Sequence, residues 1–255
     1  MTFSLSYYHK LIVNLRSAGR TFSTVVAATE KSGAEVGRLC ILRHDVDRIP
    51  RRSLAMSKIE NQLGVKATYY FRCSKDGRFP TDYVEQIAAL GHEVGYHFET
   101  LSQFQGNSTK AVEAFERNLA HFRSIAPCKS VSMHGAPLTR HNNQDLAKFV
   151  NFAGLGLIDA VYDLASLYPL YFTDTGGAWN VSGHRNRRDI VGELARSVPD
   201  FLRASELAAY STDFPRPLYF NTHPERWPQS GAGSIQVGVT DTLTNIAKLV
   251  VRSVM

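Results

Sequence analysis

The chain has little of what would place it in several large classes of protein. Three cysteines in 255 residues (Cys40, Cys73 and Cys128) are an odd number at spacings that match no metal knuckle and no disulfide framework. Cys40 and Cys73 fall inside strand-like runs and read as buried thiols. No stretch approaches the ~20 apolar residues that a membrane-spanning helix needs. The first twenty residues lack a basic start, a long apolar core and a small-residue cleavage site, so no secretory signal is expected. There is no internal repeat and no low-complexity tract. Together these absences lead us to expect a soluble protein without a membrane span, in a reducing, cytoplasmic setting.

Charge is also modest: 20% of residues are charged, with a formal net charge of +6. The excess favours an anionic partner, such as a nucleotide-linked sugar, an acidic glycan or a membrane surface. The two basic runs, at 48–52 and 184–188, have neither the length nor the interleaved aromatics of a nucleic-acid patch. The second reads as a solvated loop, and no nucleic-acid partner is expected.

What is present is an alternation of β-rich runs with helical patterns, which implies βα units around a parallel sheet. The length suits one α/β barrel spanning 1–255, with a helical segment over about 1–38 packed on it. Helices are predicted over 7–18, 52–63, 81–90, 108–125, 142–152, 188–209 and 241–254, the last capped by Thr240. Strands are predicted over 39–47, 65–72, 92–97, 130–134, 156–160, 170–174 and 218–222.

Alternation of side chains along a strand sorts each one by face. Arg43, Asp45 and Asp47 share a face, with His44 and Val46 on the other. Two carboxylates two residues apart at a strand end would repel and raise one pKa, unless a divalent cation sits between them. In GHEVGYH, Glu93, Gly95 and His97 share a face, whereas His92 belongs with Val94 and Tyr96. His97 is therefore the candidate ligand, and His92 is expected to pack outside or cap an element. Ser130, Ser132 and His134 share a face in the next strand, as do Tyr219, Asn221 and His223 in the late one. Four strands thus finish in Asp45/Asp47, His97, His134 and His223, and in an α/β barrel such ends meet at one mouth.

These residues resemble the motifs of the polysaccharide deacetylase superfamily, the chitooligosaccharide deacetylase-like carbohydrate esterases. Residues 43–47, Arg-His-Asp-Val-Asp, loosely match the first motif, Thr-Phe-Asp-Asp-Gly. Residues 91–101, GHEVGYHFETL, match the second, and the run KATYYF at 66–71 is similar to the family's second strand. The resemblance covers roughly 39–227 and implies a distorted seven-stranded (β/α) barrel. It implies Asp45 as general base, Asp47 and His97 as metal ligands, and His223 of Thr-His-Pro as general acid. The segment 173–179 looks like the fourth motif, with Asp174 supporting the acid and Trp179 walling the pocket.

Two positions depart from the pattern. The family's third ligand histidine falls at Leu101, and the arginine that pairs with the base in the third motif falls at His134. His134 is the preferred replacement ligand and Glu99 its competitor. The implied cofactor is a divalent metal, zinc by the donor chemistry. The implied reaction is hydrolysis of an N-acyl (acetyl or formyl) group on a sugar that is free, nucleotide-linked or lipid-linked. The HDVD-type subgroup further implies a place in surface-polysaccharide (O-antigen-like) biosynthesis.

Metal and base would activate a water, and a backbone N–H near Tyr96 or the 71–74 turn would meet the oxyanion. Trp179, Tyr96 and Arg43 are expected to contact the sugar. Tyr69 and Tyr70 are candidates for stacking on it, or else barrel packing. Two other readings stand beside this one: an amidase of the same mechanism on a small non-sugar substrate, and a silent sugar-binding barrel.

Overall fold

The computed structural model describes residues 3–136, 139–175, 179, 193–194, 203–212 and 214–228. The predicted helix over 241–254, the basic run at 184–188 and most of the predicted helix over 188–209 lie outside them.

In chain order the helices are α1 (Leu5–Ser17), α2 (Val25–Thr29), α3 (Pro50–Gln62), α4 (Thr81–Ala89), α5 (Thr100–Gln103), α6 (Ser108–Ile125), α7 (Tyr162–Ala165) and α8 (Ala204–Thr212). The strands are β1 (Thr21–Ser23), β2 (Leu39–Val46), β3 (Thr68–Arg72), β4 (Glu93–Phe98), β5 (Ser130–Met133), β6 (Ile158–Asp159), β7 (Leu170–Thr173), β8 (Glu193–Leu194) and β9 (Leu218–Thr222). Every pairing among them is parallel. Seven strands in the order β6-β5-β4-β3-β2-β9-β7 form a curled half-barrel wall, with β8 beyond β7 and β1 against the start of β2. This is the α/β fold of a distorted seven-stranded (β/α) barrel.

The helices follow local chemistry. In α6, Asn107 caps the start by accepting the Lys110 N–H at 3.0 Å. Ala111, Ala114, Phe115, Asn118, Leu119 and Phe122 then bury one stripe at helical spacing. The helix stops where Pro127 forces Ala126 into extended backbone. In α1, Ser4 caps the start and Gly19, at φ +79°, turns the chain out.

Two apolar clusters lie on opposite faces of the sheet. The larger, outer one holds Cys40, Leu42, Phe71, Tyr96 and Phe98 against the helices. The smaller one holds Leu39, Ile41, Tyr70, Tyr171 and Tyr219, with Val25 of α2 and Leu164 of α7, and fills the bottom of the barrel. The odd-numbered positions of β2 therefore face inward. As the strand climbs, its inward side chains change from Leu39 and Ile41 to Arg43 and Asp45. Each large side chain so buried contributes about 1.5–3 kcal/mol, which fixes register and so decides what meets at the top.

Three predicted elements came out differently. Within the helix expected over 188–209, Glu193–Leu194 pair as strand β8, and α8 covers Ala204–Thr212. The helix expected over 142–152 is a pair of short 3-10 turns, Asn143–Lys148 and Ala153–Leu155. Asn142 caps the first turn, and Asn151 and Gly154 break the run before it becomes a helix. The strand expected over 156–160 is reduced to Ile158–Asp159, because the buried Asp159 turns to accept the N–H groups of Val161 and Tyr162.

His92 packs on the outer face of the sheet, as expected, and is buried there. Its Nε2 donates to the Ser57 carbonyl at 3.0 Å, and its Nδ1 receives the Ala67 N–H at 3.3 Å. Next to it, Glu60 of α3 accepts from Tyr8, Tyr69 and His44 at 2.5, 2.5 and 2.7 Å, and His44 Nδ1 meets the Thr222 hydroxyl at 2.6 Å. This buried polar knot ties α1 and α3 to β2, β3 and β9 on the sheet's outer face.

Candidate functional site

The C-terminal ends of β2, β4, β5, β7 and β9 bring six of the expected residues together. Parallel register sets the neighbours: Arg72 stands opposite His97, His97 opposite Ser132, and Arg43 opposite Asn221. Gly95 makes room for this. A Cβ there would lie 2.5 Å from the Tyr70 ring and 2.7 Å from the Ser130 carbonyl oxygen.

Asp45 is buried, and Arg43 grips it with two charge-assisted hydrogen bonds, Nε to Oδ1 at 2.8 Å and Nη2 to Oδ2 at 2.7 Å. Asn221 Nδ2 adds a third at 3.2 Å. Burial pushes the carboxyl's pKa up, but the charges of Arg43 and then His97 outweigh it and hold the value below the usual range. Asp45 is therefore ionised.

Asp47, just past the strand, faces two imidazoles. His97 Nε2 lies 3.5 Å from Oδ1, and His134 Nε2 lies 3.7 Å from Oδ2. Oδ1 is buried without a hydrogen-bond partner. The far nitrogen of each ring is tied down: His97 Nδ1 donates to the Ser132 carbonyl at 3.0 Å, and His134 Nδ1 meets Glu99 Oε2 at 2.7 Å. Both Nε2 atoms are thereby turned toward Asp47.

Two imidazoles and a carboxylate are donors of the kind a divalent cation such as zinc takes. The 3.5 and 3.7 Å separations, to the two different oxygens of Asp47, exceed hydrogen-bond length. Anchoring of the outer imidazole nitrogens by a carbonyl and a carboxylate is what metal-binding histidines require. Among the described residues no group of three histidine, cysteine or acidic side chains is already gathered as a metal site.

Glu99 has both oxygens engaged, one by His134 and the other by Arg72 Nη2 at 2.5 Å. Burial raises its pKa, but those two partners overcome it and bring the value down to about 2. Leu101, at the family's third-ligand position, is buried in the outer core and faces away from the site.

On the other side of the mouth, His223 Nδ1 lies 2.6 Å from Asp174 Oδ1. Asp174 Oδ2 accepts the His223 backbone N–H at 2.9 Å and Trp227 Nε1 at 2.7 Å. Burial lowers the ring's pKa, but the charge and hydrogen bond of Asp174, with Asp47 behind, lift it to about 10. His223 is therefore a cation at neutral pH, with Nε2 left to donate.

The residues expected to touch a sugar are all buried. Arg43 is 0% exposed and is spent on Asp45. Tyr96 is 1% exposed and points the opposite way from His97, into Phe79, Phe98 and Phe115, with its hydroxyl on Asn118. Trp179 is 1% exposed against Phe3, Phe220 and Trp227, and its Nε1 donates to the Tyr7 hydroxyl at 3.2 Å. Tyr69 and Tyr70 are barrel packing, on the outer and inner faces respectively.

Sequence reasoning put Arg43 and Asn221 on inward faces with Asp45 and His223 but did not read either as a hydrogen-bond partner of Asp45. Trp227, which bonds Asp174, gave no local signal. In comparisons with known proteins, no family model matches the chain and no curated protein matches it.

Proposed function

We propose that the chain is a metal-dependent hydrolase that removes an N-acyl group from a sugar, as in the polysaccharide deacetylases its motifs resemble. One observation carries the reading. Two imidazoles, each held at Nδ1, face Asp47, whose buried Oδ1 has no hydrogen-bond partner, between an arginine-clamped aspartate and an aspartate-backed, protonated histidine.

Asp47, His97 and His134 would hold the cation, with His134 in the place that Leu101 leaves open and Glu99 orienting it. When bound, zinc or a similar ion polarises an acyl oxygen and lowers the pKa of water. Asp45, kept ionised and aimed by Arg43, accepts the proton of the attacking water. The backbone of the 71–74 turn borders the adjoining cleft and could supply an N–H to the oxyanion. His223 donates its Nε2 proton to the departing nitrogen, while Asp174 holds the ring from behind and compensates the charge.

Among the described residues no helix is long and apolar enough to cross a membrane. We place the enzyme in the cytoplasm, trimming a sugar during surface-polysaccharide biosynthesis before export.

The test is metal content per chain by plasma mass spectrometry, in the unsubstituted protein and in Asp47→Ala/His97→Ala, followed by release of carboxylate from N-acyl sugars. Near-stoichiometric metal that disappears in the double variant, together with acid release, supports the reading. No metal uptake, even with divalent ions added back, would make a sugar-binding barrel the better account. Turnover confined to non-sugar amides would make the chain an amidase.

A further inference from the structure

A cleft of about 440 Å³ opens beside Asp47 and Glu99, between the end of β2, the start of α3 and the turn after β3. That volume is within the range of small-molecule sites. Its lining sets four cations, Arg48, Arg72, Lys75 and Arg78, against the two carboxylates of Asp47 and Glu99. A divalent ion on Asp47 would more than neutralise the first carboxylate, and Glu99 is already shared between His134 and Arg72.

Of the four cations, Arg78 leans on Asp76 and Arg48 lies 3.5 Å from Glu225. Arg72 Nε is buried without a hydrogen-bond partner, although its Nη2 binds Glu99. Lys75 stands exposed at the rim. The wall that carries Lys75 and Arg78 is preorganised. Ser74 donates its N–H to the Arg78 carbonyl at 2.8 Å and its Oγ accepts the Arg78 N–H at 3.1 Å. Gly77 takes φ +81°, and its carbonyl accepts from His121 at 3.0 Å. A fixed turn that holds donors next to the reactive carboxylates suits a ligand with a concentrated negative charge.

Resting on the hydrolase reading for the sugar itself, we infer that this cleft binds a phosphate ester on the substrate, so that the sugar is handled as a phosphorylated or carrier-linked molecule. The chemistry is the same whether the phosphate leads to a nucleoside or to a lipid.

The experiment is a ligand-observed NMR titration of the full chain with N-acetylglucosamine 1-phosphate and with neutral N-acetylglucosamine. Bound sugar and any released acetate give separate signals there. The phosphorylated sugar should bind at least tenfold more tightly, and Lys75→Ala/Arg78→Ala should bring the two within about twofold, with an unchanged melting temperature. Failure of the phosphorylated sugar to bind, equal affinity for both sugars, or a preference that survives in the double variant would overturn the inference. Binding without acetate release would sink the hydrolase reading and leave the phosphate site standing. A further gain with the nucleoside diphosphate sugar assigns a nucleotide carrier. No such gain, with co-sedimentation on vesicles bearing a polyprenyl-diphosphate sugar, assigns a lipid carrier.

Discussion

Arg43 and Asp45 stand two residues apart on one face of β2, and the guanidinium folds back along the strand to take both carboxylate oxygens, at 2.8 and 2.7 Å. Both groups are buried, so neither has water as an alternative partner. Arg43→Met should therefore cost about 3–5 kcal/mol, since it strands a buried charge. Arg43→Met/Asp45→Asn should recover most of that. Urea unfolding at neutral pH measures both, and a double variant no more stable than the single one would contradict the pairing.

Asp45→Asn keeps the shape of the base and removes its ability to accept a proton. Turnover should fall by about 10²–10⁴, with metal content unchanged. Metal analysis and carboxylate release on the same preparation separate the two effects. Undiminished turnover would remove Asp45 from the role of base.

His134 and Glu99 should not be equivalent. Glu99 reaches the site only through His134 Nδ1, so Glu99→Ala should weaken metal affinity by about 10–100-fold and His134→Ala by more. Competition with a zinc chelator ranks them, and the reverse order would make Glu99 the ligand.

The His223–Asp174 pair gives a pH signature. The folded value of about 10 lies above the ~6.5 of an unfolded histidine. The pair's contribution to stability is thus fully present below about pH 6.5 and is lost as pH rises through about 10. Unfolding curves from pH 6 to 10.5 should show the unsubstituted protein losing a few kcal/mol more (order of magnitude) than Asp174→Asn. Parallel curves would mean that Asp174 does not hold the proton on His223.

Gly95→Ala tests the close approach of β4 to its neighbours. Its Cβ would meet ring and backbone atoms at 2.5 and 2.7 Å, too near for either to yield cheaply. Overpacking of this kind costs about 1–3 kcal/mol, readable as a lower melting temperature. An unchanged value would show that Tyr70 moves freely aside.

Much of this was legible in the sequence. The βα alternation, the boundaries of α6 and β9, and the inward parity of Arg43, Asp45, His97, His134 and His223 follow from local pattern, because side-chain alternation is a property of the strand alone. The breaks around 142–154 were not read: a helix was expected there, whereas Asn142 caps a short 3-10 turn and Asn151 accepts the Gly154 N–H.

The tertiary structure decided which side chains meet. Trp179 has the composition of a sugar platform but is drawn into an aromatic cluster with Phe3 and Trp227, residues far from it in the chain. Tyr96 lies one residue from a candidate ligand, and the strand's pleat sends it to the helix side. The resemblance left Asp45 without its usual arginine, because His134 stands at that position, and the structure pairs it with Arg43 of its own strand. The sequence determined which face of each strand carries chemistry. Register and packing, which sum contacts over the whole chain, decided that Asp45 is clamped, that Glu99 acts through His134, and that four cations ring the cleft beside Asp47.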